Sequence, residues 1–387
     1  MMKNRNEDPV DMIRISASAG VSTGSDAVRR GVSVLPLVLF TAFASVALFL
    51  ILEGIASVVL SGPGRPVAER RHTEYDKDLG WVNLPNVFEE NMYGPGKYLR
   101  TNSQRFRNNA DFAVQVPTGK IRVIASGDSF TLGYGVDNDH TWSQQLARSD
   151  GRLEVVNMGQ GGYGIDQAYL WYKRDGAKLD HDILIFAFTT MDFNRMQTDS
   201  FFGYGKPVLA IENGMIVTRN QPVPKYQSSS AQMTHIRGII NGLLSTRLLQ
   251  QALLCGRALF VSDETRQVVA KVVDDIVAKT RAKNAIPVLV YLPTEMDHVG
   301  NTAEPWRRHM AQVASAENVL FFDLIDDFRS LPAGEIKSLF LGEGVVDYAG
   351  AAGHYSEKGN DVVAGLIRER FMANPRIASR LASARPF

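Results

Sequence analysis

The chain has 387 residues, 45% hydrophobic and 21% charged, a composition that excludes wholesale disorder and allows a full core with appendages. Its formal net charge of +1 excludes the broad basic field that tracks a phosphate backbone, so nucleic acid is not an expected partner. The lone cysteine, Cys255, cannot form an internal disulfide. Its apolar helical setting reads as a buried structural thiol, silent on compartment.

Residues 1–31 are polar, mixed in charge and without sustained period, which predicts a flexible tail. "VSVLPLVLFTAFASVALFLIL", from Val32 to Leu52, is 21 residues without a charge, long enough to cross a hydrocarbon core. An uncleaved transmembrane helix over 32–60 is expected. A cleaved signal peptide is the competitor, but its apolar region is usually only about 7 to 15 residues, and no clean small-x-small cleavage site follows the span. Orientation stays open, because Arg14, Arg29 and Arg30 before the span are matched by Arg65, Arg70, Arg71 and Lys77 after it. "SGPGRP" then breaks the helix. Residues 61–117, rich in aromatics and Asn, predict short strands and turns that pack on the domain C-terminal to them.

From 118 to 375 apolar strands alternate with amphipathic helices. "KIRVIA", "LEVVNM", "DILIFAF", "IPVLVYL" and "VLFFDL" read as strands; the stretches near 142–149, 165–176, 264–283 and 305–316, and the run after Ser356, read as helices. This order predicts a parallel sheet covered on both faces, with sites beyond the carboxyl ends of its strands. "KPVLAIENGMIVTRNQPVP" carries an Asn-Gly turn between β-rich runs, a hairpin signal. "IRGIINGLLSTRLLQQALLC" is apolar at helical spacing: a helix on the core is expected, a lid touching lipid or acyl chain being the alternative. Residues 376–387 are expected to be a tail. No internal repeat is visible.

Two pattern matches need weighing. "GVSTG" at Gly20 satisfies the nucleophile-elbow expression but has no strand before it. "GQGGYG" at Gly159–Gly164 lies between a strand and a helix and satisfies a dinucleotide fingerprint, but Asp180 and Asp182 precede the next strand and Asp192 comes late for the ribose contact. A better account begins at "VIASGDSFTLGYGV". Ser129 follows an apolar strand, so its hydroxyl stands at the carboxyl edge of the sheet, where free N–H groups of the next helix face a developing oxyanion. Gly162, without a Cβ, lets a second N–H approach the same point.

A serine nucleophile needs a base. Of seven histidines, His72 precedes the compact region, His140 and His181 occupy turns, and His235 and His309 read as helical. His298 follows a strand. His354 lies in "GHYSEKGNDVVAGLI", a glycine-flanked loop before the last helix with Ser356 as N-cap, and is the expected base.

These residues resemble the SGNH/GDSL hydrolase family. "GDSFTLGYGV", "NMGQGGYG", "TTMDFN" and "GHYSEKGN" match its four blocks in order, and "DLGW..LPN" and "KPVLAIENG" look like segments of membrane-anchored bacterial members. The resemblance implies an α/β, flavodoxin-like three-layer sheet of the SGNH-hydrolase type, preceded by one transmembrane helix. It implies Ser129 as nucleophile, His354 as base, and an oxyanion hole from the N–H groups of Ser129 and Gly162. The reaction implied is hydrolysis or transfer of an ester-linked acyl group, without a metal or organic cofactor, on a polysaccharide or lipid ester.

Two departures stand out. Met191 occupies the place of the asparagine whose amide donates to the oxyanion; Asn194 or Thr190 is the candidate substitute. Ala351 occupies the place of the triad aspartate, three residues before the histidine, so Asp347 is the nearest upstream carboxylate and a Ser–His dyad the alternative. Asp128 is expected to cap the turn rather than orient His354. Acyl-ester chemistry outside the cytoplasm is the resulting expectation, with deacetylation or acetylation of an envelope glycan foremost. A catalytically inactive binding or scaffold protein on the same fold is the alternative from another class.

Overall fold

A computed structural model describes residues 34–61, 71–201, 204–224, 262–346, 348 and 350–384. The expected tail over 1–31, the "GVSTG" match, the apolar segment ending at Cys255, and Asp347 lie outside the described residues.

Helix α1 (Val34–Ser61) contains Val34–Ile55, a stretch of 22 residues and mean hydropathy 2.6, long and apolar enough to cross a membrane. Before the main sheet come two small hairpins, β1 (Thr73–Asp76) with β2 (Gly80–Asn83) and β3 (Phe88–Glu89) with β4 (Leu99–Arg100). The alternation then begins: β5 (Ile121–Gly127), α2 (Ser129–Leu132), α3 (Trp142–Ser149), β6 (Leu153–Gly159), α4 (Ile165–Arg174), β7 (Ile183–Phe188) and α5 (Thr190–Arg195). Two hairpins interrupt it, β8 (Ser200–Phe201) with β9 (Tyr204–Gly205) and β10 (Val208–Glu212) with β11 (Met215–Arg219). The predicted Asn-Gly turn joins the second pair, and both Asn213 and Gly214 take positive φ, 51° and 76°, as a turn matched to strand twist requires. It resumes with α6 (Asp263–Ala282), β12 (Ile286–Tyr291), α7 (Glu295–Val299), α8 (Glu304–Ala316), β13 (Leu320–Asp323), α9 (Ile325–Arg329), α10 (Ala333–Leu339), α11 (Glu357–Ala373) and α12 (Pro375–Ser383).

The five core strands are parallel in the order β13-β12-β7-β5-β6. Alternation of side chains divides them between two cores. Ile124, Leu184, Phe186 and Leu289 join Trp171 of α4 and Val272 and Ile276 of α6 on one face. Val123, Ile183, Ile185 and Val288 join Trp142 of α3 and Val363 and Ile367 of α11 on the other. This is the two-sided burial expected of parallel strands. Strand order reverses direction between β5 and β7, and such a switch point opens a crevice at the carboxyl ends of the strands.

The expectation of a tail from 376 is corrected. Asn374 caps α12 by accepting from the N–H groups of Arg376 and Ile377, Pro375 sits where its missing N–H is harmless, and Ile377 and Leu381 are buried in the second core.

Candidate active site

β5 ends at Gly127, and the chain turns at once into α2. A Cβ on Gly127 would lie 2.3 Å from Thr131 Oγ1 and 2.7 Å from the Ala187 carbonyl, so only glycine lets the helix fold back this closely. Asp128 is the N-cap, its carboxylate accepting from Phe130 N–H at 2.8 Å, as expected for a residue that braces the turn. Ser129 is the first helical residue. Gly133, at φ +92°, closes α2 with an N–H bond of 2.9 Å to the Ser129 carbonyl.

His354 arrives on the loop before α11, whose N-cap is Ser356. Its Nε2 lies 2.7 Å from Ser129 Oγ. The loop is fixed by backbone bonds from His354 N–H to Ala351 O and from Leu341 N–H to His354 O. The imidazole lies between the rings of Phe130 and Tyr134, at centroid distances of 4.6 and 5.1 Å. The residue is half-buried, and protein packs around the ring densely enough that burial lowers its pKa from 6.5 to about 4. The Asp128 charge and the carbonyls of Ala351 and Gly350 oppose that shift. Among the described residues no group accepts a hydrogen bond from Nδ1. His298, the other sequence candidate, lies in α7, and Ser129 Oγ pairs with His354 instead.

The Gly161-Gly162 loop follows β6. Gly162 has φ +74°, and its Cα faces the Phe201 ring, which a Cβ would approach to 2.7 Å. Among the described residues neither the Ser129 nor the Gly162 amide N–H donates a hydrogen bond within the chain. Each glycine of "GQGGYG" thus has a packing reason: a Cβ on Gly159 would strike the α2 backbone, one on Gly161 the Tyr134 hydroxyl, one on Gly164 the Asp166 carboxylate.

The third block forms α5. Thr190 Oγ1 pairs with the Tyr291 hydroxyl at 2.9 Å, which commits it elsewhere than the serine. Asn194 is buried, its Oδ1 has no hydrogen-bond partner among the described residues, and no hydrogen bond joins it to Ser129 or Gly162. Met191 is half-buried. Asp192 accepts from Thr189 N–H at 2.9 Å and from Arg195 Nη1 at 2.7 Å. The same Nη1 lies 3.2 Å from Asp128 Oδ2. Two buried carboxylates therefore share one guanidinium, and burial together with the neighbouring Asp128 charge holds the Asp192 carboxyl well above the ordinary carboxylate range. Arg195 is absent from the residues that the sequence pattern singles out; its one signal is an acid–arginine pair at i, i+3 in "DFNR".

Asp137, His140 and Glu357 offer ligand atoms within 4.8 Å of one another. Lys97 lies 3.1 Å from Glu357, and Asp137 caps a turn and pairs with His140 at 2.8 Å. Those partners account for the cluster.

The sequence model of the GDSL-like Lipase/Acylhydrolase family matches residues 125–362, more than half of the chain and all four blocks. The chain belongs to this family. Solved structures similar to it include a lipase/acylhydrolase from Enterococcus faecalis, 11% identical, covering 65% of this chain and 96% of its own, TM-score 0.38. A member of the lipolytic protein G-D-S-L family from Veillonella parvula DSM 2008 is 14% identical, with 65% and 98% covered and TM-score 0.38. The acetyl xylan esterase AlAXEase is 13% identical, with 65% and 99% covered and TM-score 0.37. A search of curated protein sequences returned no match. The family is one of GDSL-like lipases and acylhydrolases, and membership supports a hydrolase or esterase activity at the level of the family.

Proposed function

We propose that this GDSL-family chain is a membrane-anchored serine esterase or O-acyltransferase acting on ester-linked acetyl groups of a cell-envelope glycan. The observation that carries the proposal is the 2.7 Å contact of Ser129 Oγ with His354 Nε2, made across 225 residues of sequence, beside two undonated amides. In this reading His354 takes the Ser129 proton as Oγ attacks the acyl carbon, and the carbonyl electrons move onto an oxygen held by the Ser129 and Gly162 N–H groups. Collapse expels the alcohol, which leaves with the proton from His354. Water, or an acceptor hydroxyl, is then deprotonated by the same imidazole as it attacks the acyl carbon, and Ser129 Oγ leaves with that proton from the imidazolium. Asp347 is the proposed acid behind His354. The proposed periplasmic or extracellular location leans on the resemblance to membrane-anchored bacterial members, and α1 supports the anchor itself; a domain tethered there meets envelope polymers.

The test uses the full chain in detergent. A fluorophosphonate should label it at one site, mapped by peptide mass to Ser129, and p-nitrophenyl acetate and an O-acetylated glycan should release acetate. A folded chain that neither labels nor turns over would instead support the scaffold reading, which Met191 and the unjoined Asn194 favour by leaving the oxyanion one donor short.

The pH profile is a separate expectation. A base must be neutral to act, so the acid limb of kcat/KM and of labelling should centre near pH 4, where burial holds His354, and not near 6.5. For stability the sign is the same: the folded state binds fewer protons than the unfolded one between these values. The His354 contribution is therefore fully present above about pH 6.5 and is lost as pH falls toward 4. A limb near 6.5 would show that the imidazole is solvated.

A further inference from the structure

The Gly162 amide, proposed above to hold the oxyanion, belongs to a peptide group whose other end is already gripped. The carbonyl of Gly161 and the N–H of Gly162 lie in one rigid trans plane and point in opposite directions. Trp81 of β2 donates its indole Nε1–H to that carbonyl at 2.8 Å. The indole is 7% exposed, and it is held in turn. Its backbone carbonyl accepts from Tyr163 Oη at 2.5 Å, and its ring meets the Tyr163 ring edge-on at 5.7 Å. Just before it, the Leu79 carbonyl accepts from Gln167 Nε2 at 2.7 Å. The Phe201 ring stacks on the indole at 6.4 Å, and the two rings together cover Gly162.

We infer that Trp81 is a positioning residue for the oxyanion hole: by holding the Gly161 carbonyl it aims the Gly162 N–H at the reacting carbonyl carbon's oxygen. The inference rests on the esterase reading. Trp81 lies outside the residues that the family model matches, in the segment between α1 and the sheet. A second effect runs in the same direction, because a hydrogen bond accepted at the carbonyl polarises the peptide and strengthens its N–H as a donor. Without the indole N–H the plane is free to rock, and a misplacement of about 1 Å in such a site costs up to about 100-fold in rate.

The test compares Trp81→Phe with Trp142→Phe in the full chain. Trp142 is a buried tryptophan of the other core whose Nε1 has no partner among the described residues, so its replacement reports packing loss. Trp81→Phe is expected to lower kcat by about 10-fold to 100-fold with KM within about 2-fold. Phosphonylation of Ser129, which forms a tetrahedral oxyanion mimic, should slow in parallel. Trp142→Phe should lower the melting temperature and leave kcat alone. Unchanged kcat in Trp81→Phe overturns the inference, as does an equal loss of kcat in both variants at matched loss of stability. A second measurement needs no variant to fold: in wild-type protein carrying 15N-tryptophan, phosphonylation should shift the Trp81 indole N–H resonance and leave that of Trp142 in place. No shift overturns the inference as well. Failure of the wild type to label is a different result, since it removes the esterase reading before Trp81 is reached.

Discussion

Ser129→Ala and His354→Ala are each expected to lower kcat for ester hydrolysis by about 10⁴-fold or more, and the double variant by little beyond the worse single. The reason lies in how the pair is built. Ser129 Oγ has one hydrogen-bond partner among the described residues, His354 Nε2, so removing either side chain removes the whole proton path. Residual rate should come from the two amides, which neither substitution touches. Because the imidazole is held by Phe130, Tyr134 and its own backbone, Ser129→Ala should keep the fold. The check is initial-rate kinetics on p-nitrophenyl acetate with circular dichroism beside it. Additive losses in the double variant would mean that the two residues act in separate steps, and the acyl-enzyme scheme would have to be abandoned.

Much of this architecture is legible because its signals are local. The run "RVIASGDS" places a serine after a strand whose alternate residues serve two cores, and "ENG" between β-rich runs dictates its own turn. His354 ranks above His298 because Ser356 announces the start of a helix. The parts that are not legible depend on approach between distant segments. Trp81 reads as one more aromatic in a strand, and nothing in its neighbourhood encodes an acceptor 80 residues away. Arg107, which donates to the carbonyls of Leu132, Gly133 and Val136 at 2.5 to 2.7 Å and so grips the end of α2, is one arginine in "RFRNN". Arg195 reaches Asp128 across 67 residues and so joins it to Asp192. The helix that stands in place of the expected tail after 376 is hidden for another reason: α12 is short, and its two buried apolar residues become decisive only once a core is there to receive them.

Gly159→Ala is expected to destabilise the protein by about 3 kcal/mol or more and to cost the surviving folded fraction most of its activity. The residue also explains why a dinucleotide fingerprint occurs in an esterase-like chain. Its backbone does not adopt a positive φ, so the need for glycine is one of space: a Cβ would lie 1.9 Å from Leu132 N, 2.4 Å from Thr131 C and 2.5 Å from Leu132 Cα. All three are backbone atoms of α2, which cannot rotate aside as a side chain can. The helix would have to move off β6, and Ser129 at its first turn would move with it, out of reach of His354. Gly365→Ala supplies the contrast. Gly365 lies inside α11 with no atom within 4 Å of its would-be Cβ, so alanine there should stabilise the helix by up to about 1 kcal/mol. Thermal unfolding of the two variants should therefore move in opposite directions. If Gly159→Ala unfolds like wild type and labels at the same rate, the close seating of α2 on β6 is not what fixes the serine, and the fingerprint glycine would again need a ligand to explain it.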